Sequence, residues 1–202
     1  MDYLEALEER RSEYALSADL PVPNDDVVKL IRDIISVTPT SYNGQSPRVF
    51  ILFGDEHRRL WDIVAESLIA KIGEERFKKS KPKIDGFASA AGTILYYEDD
   101  SVTEKLKEDN PSYKDNFPVW AEQANGMLQF AVWSGLRTLG IGANLQHYNP
   151  LIDSRVRDAF GIPEGYRLIA QMPFGKVVRG APRKPRLDPE ATVRVVGKDG
   201  LL

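Results

Sequence analysis

The chain has 202 residues, about 1.3 times a domain of ~150 residues, so one compact domain with a real core is expected over 1–202. Apolar residues at 42% and charged residues at 28% exclude wholesale disorder, and 27 Lys plus Arg against 30 Asp plus Glu (net charge −3) give no electrostatic case for nucleic acid or an anionic membrane. The absence of cysteine and the presence of only two histidines, His57 and His147, exclude disulfides, thiolate and multi-histidine metal sites and a cysteine nucleophile. Met1 to Arg11 is acidic and polar, unlike a signal peptide, and no apolar run approaches the ~18 residues that cross a bilayer. A reducing cytoplasm is the expected location.

Asp2 is placed to cap a first helix with Leu4 and Leu7 on one face and Arg10 and Arg11 at its end. After Leu20-Pro-Val-Pro-Asn24, Asp25 or Asp26 opens a second helix with Val27, Leu30, Ile31, Ile34 and Ile35 on a buried face. Pro39 ends it, and Thr40-Ser41-Tyr42-Asn43-Gly44 is a polar loop. Arg48 to Phe53 reads as a buried strand. Asp55 is expected to cap a third helix carrying Leu60, Ile63, Val64, Leu68 and Ile72, with His57 on its surface. Lys78 to Lys83 reads as a basic, proline-containing surface stretch.

Gly92 to Tyr97 is a second strand, apolar on both faces, followed by solvated Asp99-Asp100 and a short exposed helix over Ser101 to Asp109. Asn110 to Asn116 is a polar excursion. Phe117 to Leu139 is the longest helix, so apolar that it belongs in a core or a subunit interface; Trp120 and Trp133 are read the same way. Gly140-Ile-Gly142 stops it, Ala143 to Gln146 is a short strand with His147 a satisfied side chain at its end, and Asn149 or Pro150 starts another helix. Gly161 to Gly165 turns into a strand over Tyr166 to Met172. From Val177 the chain is basic and proline-rich with little to bury, and Thr192 to Val196 is a β-prone run. Strands and helices do not alternate regularly, which favours α+β over a doubly wound parallel sheet.

Arg10-Arg11-Ser12 is either two cations at a helix C-terminus, where the dipole favours them, or an anion site, since guanidinium forks and a hydroxyl suit phosphate. Lys184-Pro185-Arg186 is either a solvated tail or a stiff clamp for the same anion, which would unite the two ends of the chain. Thr40 to Gln45 is either a helix stop and turn or a hydrogen-bonding rim for a planar heterocycle. Gly140-Ile-Gly142-Ala-Asn144 is not a dinucleotide fingerprint: the third glycine is missing, and the motif follows a helix and precedes a strand. Its glycines either end the helix or let the backbone approach a flat ligand.

In their order and spacing, Arg10-Arg11-Ser12, Pro39-Thr-Ser-Tyr-Asn43, the apolar helix running into Gly140-Ile-Gly142-Ala-Asn144, and Lys184-Pro-Arg186 resemble the FMN-dependent nitroreductase family. With Glu13-Tyr14-Ala15-Leu16 and the compact length, the likeness is to the small branch that includes yeast fatty-acid-repression-type and bacterial copper-induced nitroreductases. The resemblance implies a mixed, mainly antiparallel central sheet flanked by helices, in a homodimer whose C-terminal arm (about 177–202) lies on the partner subunit. It implies FMN, with Arg10, Ser12, Lys184 and Arg186 at the phosphate and ribityl chain and Arg11 nearby. Asn43, with Ser41 and Gln45, would meet the ring edge from the other subunit, and Gly140, Ile141, Gly142 and Ala143 would line the flavin. Tyr42, Tyr113, Phe117 and Trp120 would cover the substrate face. Tyr14 stands where many larger relatives have Arg or Lys.

The activity implied is ping-pong hydride transfer from NADH or NADPH to a nitroaromatic or quinone, with no catalytic side chain because the flavin does the chemistry. The other readings are a flavin storage or regulatory protein with incidental reductase activity, and a non-flavin dimer that binds an anion.

Overall fold

The structure is a computed structural model that describes residues 2–197; Met1 and the arm's last residues, 198–202, lie outside the described residues. Helix α1 (Tyr3–Glu9) opens on a capping box in which Asp2 Oδ1 accepts the Glu5 N–H at 2.9 Å and Glu5 accepts the Asp2 N–H at 2.9 Å. It buries Ala6 rather than the expected Leu4, which is 67% exposed. A three-residue strand, β1 (Ala15–Ser17), precedes α2 (Asn24–Val37), which opens on Pro23 rather than an aspartate and buries Val27 and Ile31.

Strand β2 (Pro47–Phe53) passes directly into α3 (Gly54–Ile72). Gly54, at φ +56, makes the turn, so Asp55 sits inside the first turn and is not the cap. With no linker, that first turn folds back over the sheet and buries His57, which the sequence reading placed on the surface. Its Nδ1 lies 2.9 Å from Thr93 Oγ1 and its Nε2 3.2 Å from the Ala88 carbonyl. Burial lowers the His57 pKa to about 4, below an ordinary value near 6.5. The unfolded chain therefore binds the proton first. His57 costs nothing above pH 6.5 and removes stability as pH falls from there toward 4, by roughly 3 kcal/mol in all. Urea midpoints measured at pH 7.5 and pH 5 are expected to separate in the native protein and to separate less in His57→Asn.

Lys78 to Lys83 is the expected basic surface stretch, and it is helical: it forms the middle of α4 (Glu74–Ala88), which holds Pro82 internally and is anchored by buried Phe77, Ile84 and Phe87. Strand β3 (Gly92–Asp99) is buried at every residue. Asp99 is consequently not solvated: it is 7% exposed, accepts from Arg48 Nη2 at 2.9 Å and caps α5 (Asp100–Asp109) through the Ser101 N–H. Asp100 is paired with Arg167.

Helix α6 (Phe117–Thr138) leads into β4 (Ile141–Ala143), then α7 (Asp153–Phe160), which starts later than the expected Asn149 or Pro150. His147 is exposed rather than satisfied at a strand end. Strand β5 (Tyr166–Arg179) is twice the expected length, because Phe174 to Arg179 finds partners in β4 and β1, so Val177 to Arg179, expected to open the arm on the partner subunit, belong to this subunit's own sheet. Thr192 to Val196 forms no strand and is exposed, following a short turn at Pro189–Ala191.

The sheet order is β1-β5-β3-β2, with β4 also paired to β5 and every strand pairing antiparallel, so the expected α+β class with a mainly antiparallel sheet stands. Both faces are covered. Leu95 and Tyr97 of β3 pack with Leu60, Trp61 and Val64 of α3 and Phe87 of α4. Ile94 and Tyr96 pack with Val27 and Ile31 of α2 and Leu128, Val132 and Leu136 of α6. Alternate residues of one strand thus enter two different cores, which is why β3 reads as apolar without alternation.

Candidate functional site

The two basic ends of the chain meet. A cavity of about 720 Å³ is lined by Arg10, Arg11, Ser12 and Tyr14 after α1, Phe130 and Trp133 of α6, and Ala181, Pro182, Arg183, Lys184 and Arg186 beyond β5. Register brings them there: Ser12 bridges to Ala143 of β4, and Ala15 of β1 pairs with Arg179 at the end of β5. The Arg10 guanidinium lies 4.4 Å from the Trp133 ring centroid, and the Trp133 indole N–H donates to the Ala143 carbonyl at 3.2 Å. Burial, then the guanidiniums of Arg11 and Arg186, lower the Arg10 pKa from its ordinary value. Arg10 Nε is buried with no hydrogen-bond partner. An incompletely satisfied guanidinium among like charges is the chemistry of an anion site.

Gly140 to Ala143 lies differently from the rest of the expected set. Gly140 is exposed at φ +75, while Ile141, Gly142 and Ala143 are buried in the sheet and none lines the basic cavity. A Cβ at Gly142 would come within 2.4 Å of Val177 Cγ2 and 3.1 Å of Glu13 Cβ, so this glycine admits neighbouring protein.

The polar loop forms a second cluster. Ser41–Asn43 is a single tight turn, with Tyr42, Asn43 and Gln45 all at φ between +52° and +54°. Three non-glycine residues in the left-handed region within four positions store about 1–3 kcal/mol each, a strain associated with functional loops. Thr40 Oγ1 accepts the Gln45 N–H at 2.9 Å, and Arg48 Nη1 donates to the Gln45 carbonyl at 2.6 Å while its other groups hold Asp99 and the Tyr166 hydroxyl. Arg48 was missed as a loop anchor; an arginine heading an apolar strand is the trace it leaves in the sequence. Asn43 and Gln45 are exposed.

All four aromatic candidates converge over this turn. Tyr42 stacks on Trp120 at 6.3 Å with an interplanar angle of 16° and meets the edge of Phe117 at 5.3 Å; Tyr113 lies 6.0 Å from Trp120. Trp120 and Trp133 are thirteen residues apart on α6, about 20 Å along its axis, so the loop cluster and the basic cavity occupy opposite parts of one helix. One subunit does not bring the two clusters into a single pocket. Among the described residues, no group of three or more His, Asp or Glu is placed to hold a metal, and no helix is long and apolar enough to cross a membrane.

The nitroreductase family model matches residues 7–176. The nitroreductase FRM2 of Saccharomyces cerevisiae is 35% identical over 176 residues, 86% of this chain and 87% of that protein. The structure of nitroreductase CinD from Lactococcus lactis in complex with nicotinic acid superposes with a TM-score of 0.90 at 40% identity, over 98% of this chain and 100% of that one. CinD has also been solved with chloramphenicol and with 4-nitrophenol. A nitroreductase with bound FMN from Desulfitobacterium hafniense shares the fold at a TM-score of 0.69 and 19% identity, over 97% of this chain and 99% of that one. With a matching fold, a family model spanning most of its length and a 35%-identical yeast relative, this chain belongs to the nitroreductase family.

Proposed function

We propose that this nitroreductase is an FMN-dependent NAD(P)H oxidoreductase that reduces nitroaromatics and quinones as a homodimer. The observation that carries the reading is the convergence of Arg10, Arg11, Ser12, Lys184 and Arg186, from opposite ends of the chain, on one cavity of about 720 Å³. Small-molecule sites of this kind typically measure about 300–1,000 Å³. The residues fit FMN: its phosphate dianion would pair with the Arg10 guanidinium and offset the repulsion from Arg11 and Arg186.

Bound there, FMN would supply the two-electron hydride chemistry between a nicotinamide and an electron-poor acceptor. The protein's part is placement. Arg10, Ser12, Lys184 and Arg186, with Arg11 nearby, hold the phosphate and ribityl chain, and Trp133 fixes Arg10. Ser41, Asn43 and Gln45 of the partner subunit present hydrogen-bonding groups to the ring edge, on a turn whose strained geometry is already set. Tyr42, Tyr113 and Trp120 form an apolar wall for a flat acceptor; Phe117, expected beside them, is only 2% exposed and backs the wall from the core. Ile141 to Ala143 act from behind the cavity, where the Ala143 carbonyl accepts the Trp133 indole N–H that backs Arg10.

The dimer is favoured by apolar surface left open on this subunit. Val37, Met127 and Phe130 are exposed around a groove of about 510 Å³ that also takes in Leu30, Ile34 and Ala131. The edge strand β2 borders a second groove of about 790 Å³. The exposed Thr192 to Val196 run is the segment suited to fill the latter on a partner subunit.

The test is the visible spectrum of the purified protein, followed by anaerobic addition of NADH and NADPH separately. A flavin spectrum that bleaches with a nucleotide and recovers with a quinone or nitroarene is the expected result. A flavin that neither nucleotide reduces supports storage or sensing instead, and a colourless protein that takes up no added FMN overturns the proposal.

A further inference from the structure

Glu13 lies between the two segments that build the basic cavity, and its charge is opposite to theirs. Its main chain is fixed on both sides: its N–H donates to the Ala143 carbonyl at 3.0 Å, and its own carbonyl accepts from Asn144 Nδ2 at 2.7 Å. Asn144 is fully buried, and Glu13 is 8% exposed, its side chain packed over Gly142. From this anchored position Glu13 Oε2 accepts the Ala181 N–H at 2.7 Å. Ala181 is where the chain, having left β5 at Arg179, turns along the cavity wall. Among the described residues it makes the one main-chain hydrogen bond between Gly180 and Leu187.

The need for such an attachment follows from charge. Arg10 and Arg11 face Arg183, Lys184 and Arg186, and like charges at this spacing push the arm toward solvent, where residues 182–197 already stand exposed. Glu9 gives a looser second hold, 3.6 Å from Arg183 Nη2 while it pairs with Arg137 at 3.1 Å. A charge-assisted bond to a main-chain N–H in a part-buried setting is stronger than an exposed ion pair.

We propose that Glu13 is a positioning residue of the cofactor site: its carboxylate latches the arm at Ala181, so that Lys184 and Arg186 close on the anion held by Arg10 and Ser12. Glu13 acts through the arm and does not touch the ligand. That the ligand is FMN rests on the proposed function; the latch itself does not.

Two variants of the full chain separate the cases. Glu13→Gln keeps an oxygen acceptor of the same reach, whereas Glu13→Ala removes it. In the flavin-free protein, hydrogen exchange of peptides covering 178–188 is expected to show the Ala181 amide protected in the native chain and in Glu13→Gln, and unprotected in Glu13→Ala. With FMN loaded, release followed by flavin fluorescence is expected to quicken about tenfold or more in Glu13→Ala and at most about threefold in Glu13→Gln. Adding Glu13→Ala to Lys184→Ala with Arg186→Ala is expected to weaken binding little further, since the latch acts through those cations. Unchanged Ala181 exchange in Glu13→Ala overturns the latch. So does native-like FMN release in that variant, or equal loss of FMN in both variants with the amide still protected. If the native chain binds no FMN, the proposed function fails, while the exchange measurement still decides the latch.

Discussion

Lys184→Ala combined with Arg186→Ala is expected to weaken FMN binding by about 10²–10⁴-fold, with FMN titrated into the flavin-free protein as the measurement. Each hydrogen bond to a charged group contributes about 1.5–3 kcal/mol, so losing two costs ~3–6 kcal/mol of binding. The fold is expected to tolerate the change. Both side chains are exposed and neither belongs to the hydrogen-bonded frame of the sheet. Surface substitutions of this kind usually cost within ±0.5 kcal/mol, so the melting temperature of the flavin-free variant should stay within about 2 °C of the native value. Removing two cations from the like-charged cluster also relieves repulsion there, which works against any loss. Retention of stoichiometric FMN by this double variant removes the arm from the phosphate site, whatever activity remains.

Trp61→Ala is expected to have the largest effect on stability, a loss of about 3–5 kcal/mol by urea unfolding, against a total of ~5–15 kcal/mol for a domain. Trp61 is 1% exposed, with its ring centroid 4.8 Å from Phe87 and 5.9 Å, edge-on, from Tyr148. Its indole N–H donates to Thr93 Oγ1 at 3.0 Å, the hydroxyl that also faces His57. The single ring joins α3, α4, β3 and the loop after β4. Trp61→Phe keeps most of the packing and loses one hydrogen bond, so about 1–2 kcal/mol is expected for it. Equal effects of the two substitutions show that the hydrogen bond, not the packing, holds this junction.

Much of this fold was legible because the sheet and its two flanking helices, α2 and α6, write strong patterns. Val27, Ile31, Leu128 and Leu136 recur at helical spacing, and β2 and β3 are apolar runs bounded by turns. What escaped was structure that depends on neighbours. Three-residue β1 has no signal of its own and exists because β5 supplies its pairing. The far half of β5 carries Gly175, Lys176 and Arg179, which read as a tail until β1 and β4 are beside them. Helix α4 hides behind Pro82 and its lysines, although Phe77, Ile84 and Phe87 mark its inner face. His57 and Asp99 look like surface groups because nothing local records that the sheet lies against the first or that Arg48 of the neighbouring strand covers the second.

At the site, the basic residues at both chain ends and the aromatic four were legible as residue types, and their convergence required the fold. Glu13 was not legible, because it acts through a main-chain N–H 168 residues away that no spacing encodes. Arg48, which holds the carbonyl of Gln45 three residues before it, left only the trace of an arginine heading an apolar strand.

The position of β5 also bears on how the molecule is made. It pairs with β1, β3 and β4, yet it is the last strand synthesised, and its closing register joins Arg179 to Ala15 across most of the chain. Before Tyr166 to Arg179 leave the ribosome, β3 has only β2 for a partner, so its Thr-Ile-Leu-Tyr-Tyr run presents an open, sticky edge. Pairings this distant in sequence are slow to close. Folding is therefore a late event for this chain, and a product cut short before residue 166 is a candidate for aggregation rather than a smaller, simpler enzyme.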